Sequence, residues 1–247
     1  MPAVPAWPPL SAPRLFVDSP LAEGIDLTLG GPQAHYLAQV MRAKAGDAVR
    51  LFDDRTGDYA AEVVEAGKRR VVLRVAARLA PREQVPDLWL CAAPIRRARF
   101  DWVAEKACEL GVRRFVPVRT RRAVVDKVKD DRLRAQMIEA AEQCERSALP
   151  DIAPLTPLDR LLADWPSDRH LFFADERGGA PMAAAVAAHP GPAAILVGPE
   201  GGFDDAENAA IRSARGAVPI SLGPRILRAD TAAVAAVGIW MAAAGDW

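Results

Sequence analysis

Cysteine is scarce in this chain: its three copies, Cys91, Cys108 and Cys144, lie far apart and form no CxxC pair. That spacing excludes a disulfide framework and a zinc cluster, and it fits a reducing compartment. Net charge is lacking too, since 32 basic residues balance 32 acidic ones, which argues against blanket electrostatic attachment to nucleic acid. Lysine supplies only 5 of the 32 basic residues; the bias toward arginine matches an Ala- and Arg-rich composition and carries no functional weight. The most apolar run, Ala232 to Ala244, has 13 residues, short of the roughly 20 that cross a bilayer. The opening MPAVPAWPPL has neither the basic start nor the continuous apolar stretch of a signal peptide. It reads as an extended arm, and the protein as cytoplasmic.

What is present describes a folded protein of ordinary kind. The 247 residues are 51% hydrophobic and 26% charged, a composition that excludes a disordered or collagen-like chain. At roughly 150 residues per domain the length allows one large domain or two modest ones. The balanced charge conceals asymmetry: basic against acidic residues number 10 to 9 over 1–80, 15 to 11 over 81–150 and 7 to 12 over 151–247. A basic middle therefore precedes an acidic final third.

Two grammars follow one another along the chain. From Arg14 to about Ala80, short runs rich in Val, Leu and aromatics (14–17, 48–52, 59–64, 71–76) alternate with turn signals such as Gly46-Asp47 and Thr56-Gly57-Asp58, which predicts a small β-barrel or sandwich. One helix interrupts it, with Ala34, Leu37, Val40 and Met41 spaced as a buried stripe and His35, Gln39 and Arg42 on other faces. The segment APREQVPD, 80–87, has two prolines and no periodicity, and is the expected linker between domains 1–80 and 81–247. Beyond it, strands at 88–93, 114–118, 170–174, 193–197 and 218–222 alternate with helical segments, so a mostly parallel sheet with helices on both faces is expected. The helix before Arg146 is expected to carry Leu133, Met137, Ala140, Ala141 and Cys144 inward, with Cys144 as a small packing residue. Asp204 and Glu207 form a capping-box pattern for a helix from about Asp205 to Arg215, and a terminal helix opens near Thr231.

In open parallel sheets ligands bind beyond the carboxyl ends of strands, which directs attention to the loops after the two late strands. Gly198-Pro199-Glu200-Gly201-Gly202-Phe203 has three glycines in six residues, enough for close backbone approach to a ligand, or simply for a tight strand-to-helix turn. It fits neither a P-loop nor a dinucleotide fingerprint. The second loop, Leu222 to Thr231, places Arg225 and Arg228 beside a helix start, where guanidinium groups can hold an anion or stand as plain surface charge.

Together these segments resemble the SPOUT class of S-adenosylmethionine-dependent RNA methyltransferases, specifically the bacterial 16S rRNA (uracil-N3) methyltransferase family. GPEGGF occupies 198–203 and LGPRILRADTA occupies 222–232; EKACELGV at 105–112, EQCER at 142–146 and HYLAQVMR at 35–42 match earlier family segments in order. The sequence departs from the family at Asp230 (for Glu), Ala229 (for Thr), Cys144 (for Ser) and Glu105 (for Gln). The resemblance implies a PUA-like RNA-binding barrel over 1–80, a trefoil-knotted methyltransferase domain over 81–247, and a homodimer acting on 16S rRNA or the small ribosomal subunit, with no membrane and no metal. It implies that S-adenosylmethionine is held by Leu196, Gly198, Glu200, Gly201, Gly202, Leu222, Gly223, Ile226, Leu227 and Ala232. RNA is expected on His35, Arg42, Arg96, Arg97 and Arg122, the last three within a stretch, 96–122, of nine basic residues against three acidic ones.

The chemistry asks for few side chains. A sulfonium methyl donor is already activated, so the protein has to align donor and acceptor and favour loss of the uracil N3 proton, whose conjugate base spreads charge onto two carbonyl oxygens. Arg228 is the expected anion stabiliser, with Arg146 and Glu142 lining the site; the latter two, at i and i+4, equally suit a helix-face ion pair. Two alternatives stay open: a non-catalytic RNA-binding assembly factor, and a SPOUT methyltransferase acting on ribose 2′-O or a tRNA base.

Overall fold

The structure, a computed structural model, describes residues 7–125 and 127–247; the first six residues of the expected arm lie outside it. The chain divides into two compact units. One runs to Gln84 and includes Ala141–Ala148; the other comprises Val85–Ala140 and Leu149–Trp247.

The first unit is a curled half-barrel of five strands, β1 (Arg14–Phe16), β2 (Asp26–Gly30), β3 (Ala48–Phe52), β4 (Gly57–Ala66) and β5 (Arg70–Pro81), in the order β1-β3-β4-β5-β2. Pairing is antiparallel except between β1 and β3. Three register shifts between β4 and β5 bend the pair as bulges do, and the concave face collects Val49, Leu51, Ala61, Val63, Leu73 and Val75 into one core. β5 runs through Pro81, so the first residues of the predicted linker are strand. The predicted helix is cut short. α1 (Gly31–His35) passes into a π-helical turn over Tyr36–Val40, in which the Met41 amide donates to the Tyr36 carbonyl, and Arg42 takes φ 53°. Ala34 and Leu37 are buried as expected, but Val40 and Met41 are 60% and 42% exposed, because the wider turn rotates them off the buried face.

Arg14 anchors the Ala141–Ala148 segment within this unit. Its guanidinium is buried, pairs with Asp58 at 2.7 Å, stacks 3.8 Å from the Phe52 ring centroid, and donates to the carbonyls of Ala141 (2.7 Å) and Arg146 (3.0 Å).

The second unit is an eight-stranded sheet in which every pairing is parallel. Its strands are β6 (Leu88–Ala92), β7 (Arg114–Arg119), β8 (Asp151–Ile152), β9 (Thr156–Pro157), β10 (His170–Ala174), β11 (Ala180–Pro181), β12 (Ala193–Val197) and β13 (Ala217–Ser221), ordered β11-β13-β10-β12-β6-β7-β8, with β9 also on β7. The two-residue strands β8, β9 and β11 carry no periodic signal. Helices are α2 (Arg97–Glu109), α3 (Asp130–Cys144), α4 (Leu158–Ala163), α5 (Met182–Ala188), α6 (Asp205–Ser213) and α7 (Ala229–Ala244). All five residues of β12 are buried, the mark of a strand covered on both faces. Ala194 and Leu196 share a core with Leu158 and Ile211 of α4 and α6, while α7 packs over β12 and against α2 and α5.

Cys91 and Cys108 are fully buried, and burial pushes the Cys91 thiol up to about 12 against a smaller opposing pull from Arg114 and Arg169. Cys91 is a neutral packing group, and the buried Cys108 thiol donates to the Met137 carbonyl at 3.2 Å. Cys144, expected inward, is exposed: the buried stripe of α3 ends at Ala140 and Ala141, one turn before the helix does.

The turn between β3 and β4 hangs on Asp53, 2% exposed. Its carboxylate accepts from the amides of Leu21 (2.7 Å), Arg55 (2.9 Å) and Thr56 (2.7 Å) and from the Thr56 hydroxyl (2.6 Å). Burial opposes ionisation, but these donors together outweigh it and leave the Asp53 carboxyl below its ordinary value. Asp53 thus adds stability that is fully present above the unfolded carboxyl value of about 3.9 and is lost as pH falls through the lower folded value. In urea titrations Asp53→Asn should cost about 2–3 kcal/mol at neutral pH, and the gap from the parent protein should shrink in strong acid.

Candidate active site

The ends of three neighbouring strands, β13, β10 and β12, open into a cavity of about 390 Å³. Ala174 and Asp175 follow from β10, Val197 and Gly198 from β12, and Ile220 and Ser221 from β13; loops 198–203 and 222–228, Asn208 of α6 and Ala232 of α7 complete the wall. This is the carboxyl edge of a parallel sheet, where side chains from several strands converge and helix starts present free amides.

Local chemistry shapes the first loop. The Gly202 amide donates to the Pro199 carbonyl at 2.9 Å, and Gly202 sits at φ 65°, a conformation that disfavours any side chain. A Cβ on Gly198 would meet the Phe203 ring at 3.2 Å, so glycine here lets the ring lie against the backbone without the few tenths of an ångström of adjustment that a side chain would demand. The loop then enters α6 through a capping box: the Glu207 amide donates to Asp204 Oδ1 at 2.7 Å and the Asp204 amide to Glu207 Oε2 at 3.1 Å. The Glu207 amide, aided by Arg121 Nη1 at 3.0 Å, holds the Asp204 carboxyl below the usual range.

A basic loop following β7 clasps this one. The Arg121 amide donates to Glu207 Oε1 (2.7 Å), and Arg122 Nη1 donates to the Gly201 carbonyl (2.8 Å). Of the residues expected to hold a cofactor, Gly198, Glu200, Gly202, Leu222, Gly223, Ile226, Leu227 and Ala232 line the cavity. Leu196 instead belongs to the sheet core, one position before Val197, and a side chain at Gly201 would face the Arg122 stem. Arg228 is the N-cap of α7 and lines the cavity, exposed and with no side-chain partner among the described residues.

Glu142 and Arg146 are not brought to this cavity. Both lie in the first unit, where Glu142 Oε1 accepts from the Phe16 amide at 2.9 Å and Arg146, 4% exposed, donates to the Ala148 carbonyl and pairs with Glu83 at 3.5 Å. Their backbone and side chains are consumed in fastening Ala141–Ala148. Asp230 accepts from Arg99 Nη1 at 3.2 Å and from the Thr231 amide at 2.8 Å, so its carboxylate links the first turns of α2 and α7. His35, Arg42 and Arg96 are exposed, as is Arg97, which stands 3.9 Å from Asp101.

Sequence reasoning missed Asp175, Glu176 and Asn208. Asp175 accepts from the Arg177 amide (2.9 Å) and pairs with Arg212. The only signal for them was an acidic pair at the end of a strand, and its meaning depends on β10 lying between β12 and β13.

Fold and cavity define an α/β ligand-binding domain with a glycine-rich loop at the sheet's carboxyl edge, joined to a small β half-barrel. The chain belongs to the RNA methyltransferase domain family, which matches residues 81–241, and an RNA methyltransferase PUA domain matches residues 29–76. It is 30% identical to the ribosomal RNA small subunit methyltransferase E of Rickettsia conorii, covering 91% of this chain and 93% of that one. To the protein of the same name from Bacillus subtilis it is 27% identical over 89% and 92%. Among solved structures, the ribosomal RNA small subunit methyltransferase E from Neisseria gonorrhoeae bound to S-adenosyl methionine superposes with a TM-score of 0.87, 25% identity, and coverage of 96% and 99%.

The clasp generates a test. Arg122→Ala removes a charge-assisted bond worth about 1 kcal/mol at an exposed position, so amide exchange at Gly201 and Gly202 should quicken several-fold, and Arg122→Lys should restore part of the protection.

Proposed function

We propose that this chain transfers a methyl group from S-adenosylmethionine to N3 of a uridine in 16S rRNA of the small ribosomal subunit. The observation that carries the reading is the cavity itself: most residues of the segments 198–203 and 222–232 by which the chain resembles the family wall it, and a relative of the same fold was crystallised with S-adenosyl methionine.

The residues present suit that cofactor. Val197, Ile220, Leu227 and Ala232 offer apolar wall for an adenine, and Asp175, Glu176 and Glu200 line the same space with carboxylates, which favour a ligand carrying sulfonium and ammonium charges. When bound, the cofactor supplies a methyl group already activated toward nucleophiles. The protein's own task is to orient the uracil and to hold the charge left when N3 gives up its proton. Arg228, unpartnered by any described side chain at the cavity wall, is the group we assign to that charge: its planar fork can meet a uracil oxygen as negative charge develops there. Glu142 and Arg146 have no step in this scheme, and Asp230 serves it by fixing the turn that presents Arg228.

The same reading makes the half-barrel an RNA-binding element, with His35 and Arg42 as its phosphate contacts, and adds Arg96 and Arg97 at the start of α2 in the second unit. Arg122 contributes through the loop it clasps. It also makes the enzyme a cytoplasmic homodimer with a trefoil-knotted catalytic sheet and no need of a metal ion. Trp102 and Ile226, 40% and 90% exposed, are apolar surface that a second copy could cover. No helix among the described residues is long and apolar enough to cross a membrane.

Nucleoside mass spectrometry of small-subunit rRNA after reaction tests the product directly; 3-methyluridine is expected, and its absence beside another methylated nucleoside would reassign the reaction. Filling the cavity with Ala232→Phe should weaken S-adenosylmethionine binding at least about tenfold by calorimetry, whereas Gly201→Ala, whose Cβ meets Arg122 at an ordinary 3.4 Å, should leave it within a few-fold. Arg228→Ala should lower the single-turnover methyl-transfer rate by about 10²–10³ while changing cofactor affinity far less, and Arg228→Lys should recover only part of the rate.

A further inference from the structure

A second cavity, of about 660 Å³, lies on the other side of α6. Consecutive residues of that helix divide the two: Asn208 lines the first cavity and Glu207 the second. Pro157, Leu158, Leu162, Ala206 and Ala210 give it apolar walls, and Arg119, Arg121 and Arg160 stand at it with Asp159 and Glu207.

Of the two acids, Glu207 is committed on both oxygens, while exposed Asp159 keeps one oxygen toward solvent and lends its charge to Arg121. Both Glu207 oxygens accept backbone amides, those of Asp204 and Arg121, and Asp159 Oδ1 accepts from the Arg160 amide at 2.9 Å. The cations are less so. Arg119 is exposed, with no side-chain partner among the described residues. Arg160 faces Asp164 only at 3.7 Å with both side chains more than 70% exposed, a pairing of little strength. In the same wall Thr120 is 5% exposed and its hydroxyl has no hydrogen-bond partner among the described residues, a rare state for a buried polar atom.

An apolar floor, unspent guanidinium groups and an unsatisfied hydroxyl are together the complement of one nucleotide of single-stranded RNA. A splayed base can lie on the apolar wall or stack on a guanidinium plane, and its phosphate can meet the arginines. We propose that this cavity binds a nucleotide of the RNA substrate neighbouring the one to be methylated. Charge complementarity to Arg119 and Arg160 selects RNA over a protein segment as the occupant. The inference rests on the methyltransferase reading and adds to it a place where sequence context is read. Because Arg121 and Arg122 tie the rim of this cavity to Asp204 and Gly201, RNA seated here bears on the glycine-rich loop through the same few residues.

The test uses the full chain with a fluorescein-labelled oligouridylate and with a small-subunit rRNA transcript, titrated without cofactor over a range of salt. Three variants are compared: Arg119→Glu with Arg160→Glu, Ala210→Trp, which fills the floor from an exposed position, and Arg215→Glu, an exposed charge reversal away from either cavity. The double reversal should weaken binding by about tenfold or more and flatten the log–log salt slope by about 1–2. Ala210→Trp should weaken binding with the slope unchanged, and Arg215→Glu should do neither. S-adenosylmethionine affinity should stay at the parent value in all three, which also reports their folding. Parent-like RNA binding by both cavity variants overturns the proposal, as does an equal loss in Arg215→Glu, which would reduce the effect to overall charge. Failure of the parent chain to bind S-adenosylmethionine or transfer methyl groups is a separate result that would remove the functional reading itself.

Discussion

The Glu207 carboxylate is the interaction on which the working edge of the sheet depends. One oxygen closes the capping box on the Asp204 amide and the other receives the Arg121 amide, so a single 7% exposed side chain fixes the start of α6, the exit of the glycine-rich loop and the turn after β7. A buried carboxylate is costly unless such donors satisfy it, and here both are backbone groups whose positions it sets in return. Asp204 completes the ring by accepting from Arg121. The first cavity, α6 and the second cavity therefore share one hydrogen-bonded frame.

Arg14 plays the equivalent part in the half-barrel. Its charge is matched by Asp58, its plane by Phe52, and its remaining donors by two carbonyls of Ala141–Ala148. The EQCER segment follows from this. In sequence it has the look of a catalytic cluster, with acid and base one helical turn apart, but in the fold Glu142 caps the Phe16 amide and Arg146 is buried against its own neighbouring backbone. An arginine 4% exposed, with its Nε on the Ala148 carbonyl and beside Glu83, helps to hold the chain in place.

The charge asymmetry of the sequence also acquires a location. Six of the twelve acids of the final third lie on the first cavity, as Asp175, Glu176 and Glu200, or at the start of α6, as Asp204, Asp205 and Glu207. Two cations of the middle third, Arg121 and Arg122, lie in the turn after β7. The first cavity thus carries three acids against two arginines and the second three arginines against two acids, a small excess of opposite sign on the two sides of one helix.

Much of this was legible from residues alone. Strands β6, β7, β10, β12 and β13 are short apolar runs bounded by turn residues, and α6 is announced by Asp204 and Glu207, because these signals act over a few bonds. Eight of the ten expected cofactor contacts line the first cavity, seven of them for the same local reason, that they sit in loops that directly follow strands; the eighth, Ala232, is in the first turn of α7. The short strands β8, β9 and β11 were invisible, since two residues form a strand only when a neighbour is supplied. Val40, Met41 and Cys144 keep helical spacing yet face outward, because spacing says which residues share a face but not where the face ends. The sequence by itself thus determined which segments are strand, helix and glycine-rich turn, and that the late loops stand at strand ends. Only the tertiary structure decided that β10 lies between β12 and β13, which puts Asp175 and Glu176 on the cavity, that Glu142 and Arg146 serve the half-barrel, and that a second cavity backs onto α6. Strand order and the pairing of distant side chains are set by packing among residues far apart in the chain, and no local spacing encodes them.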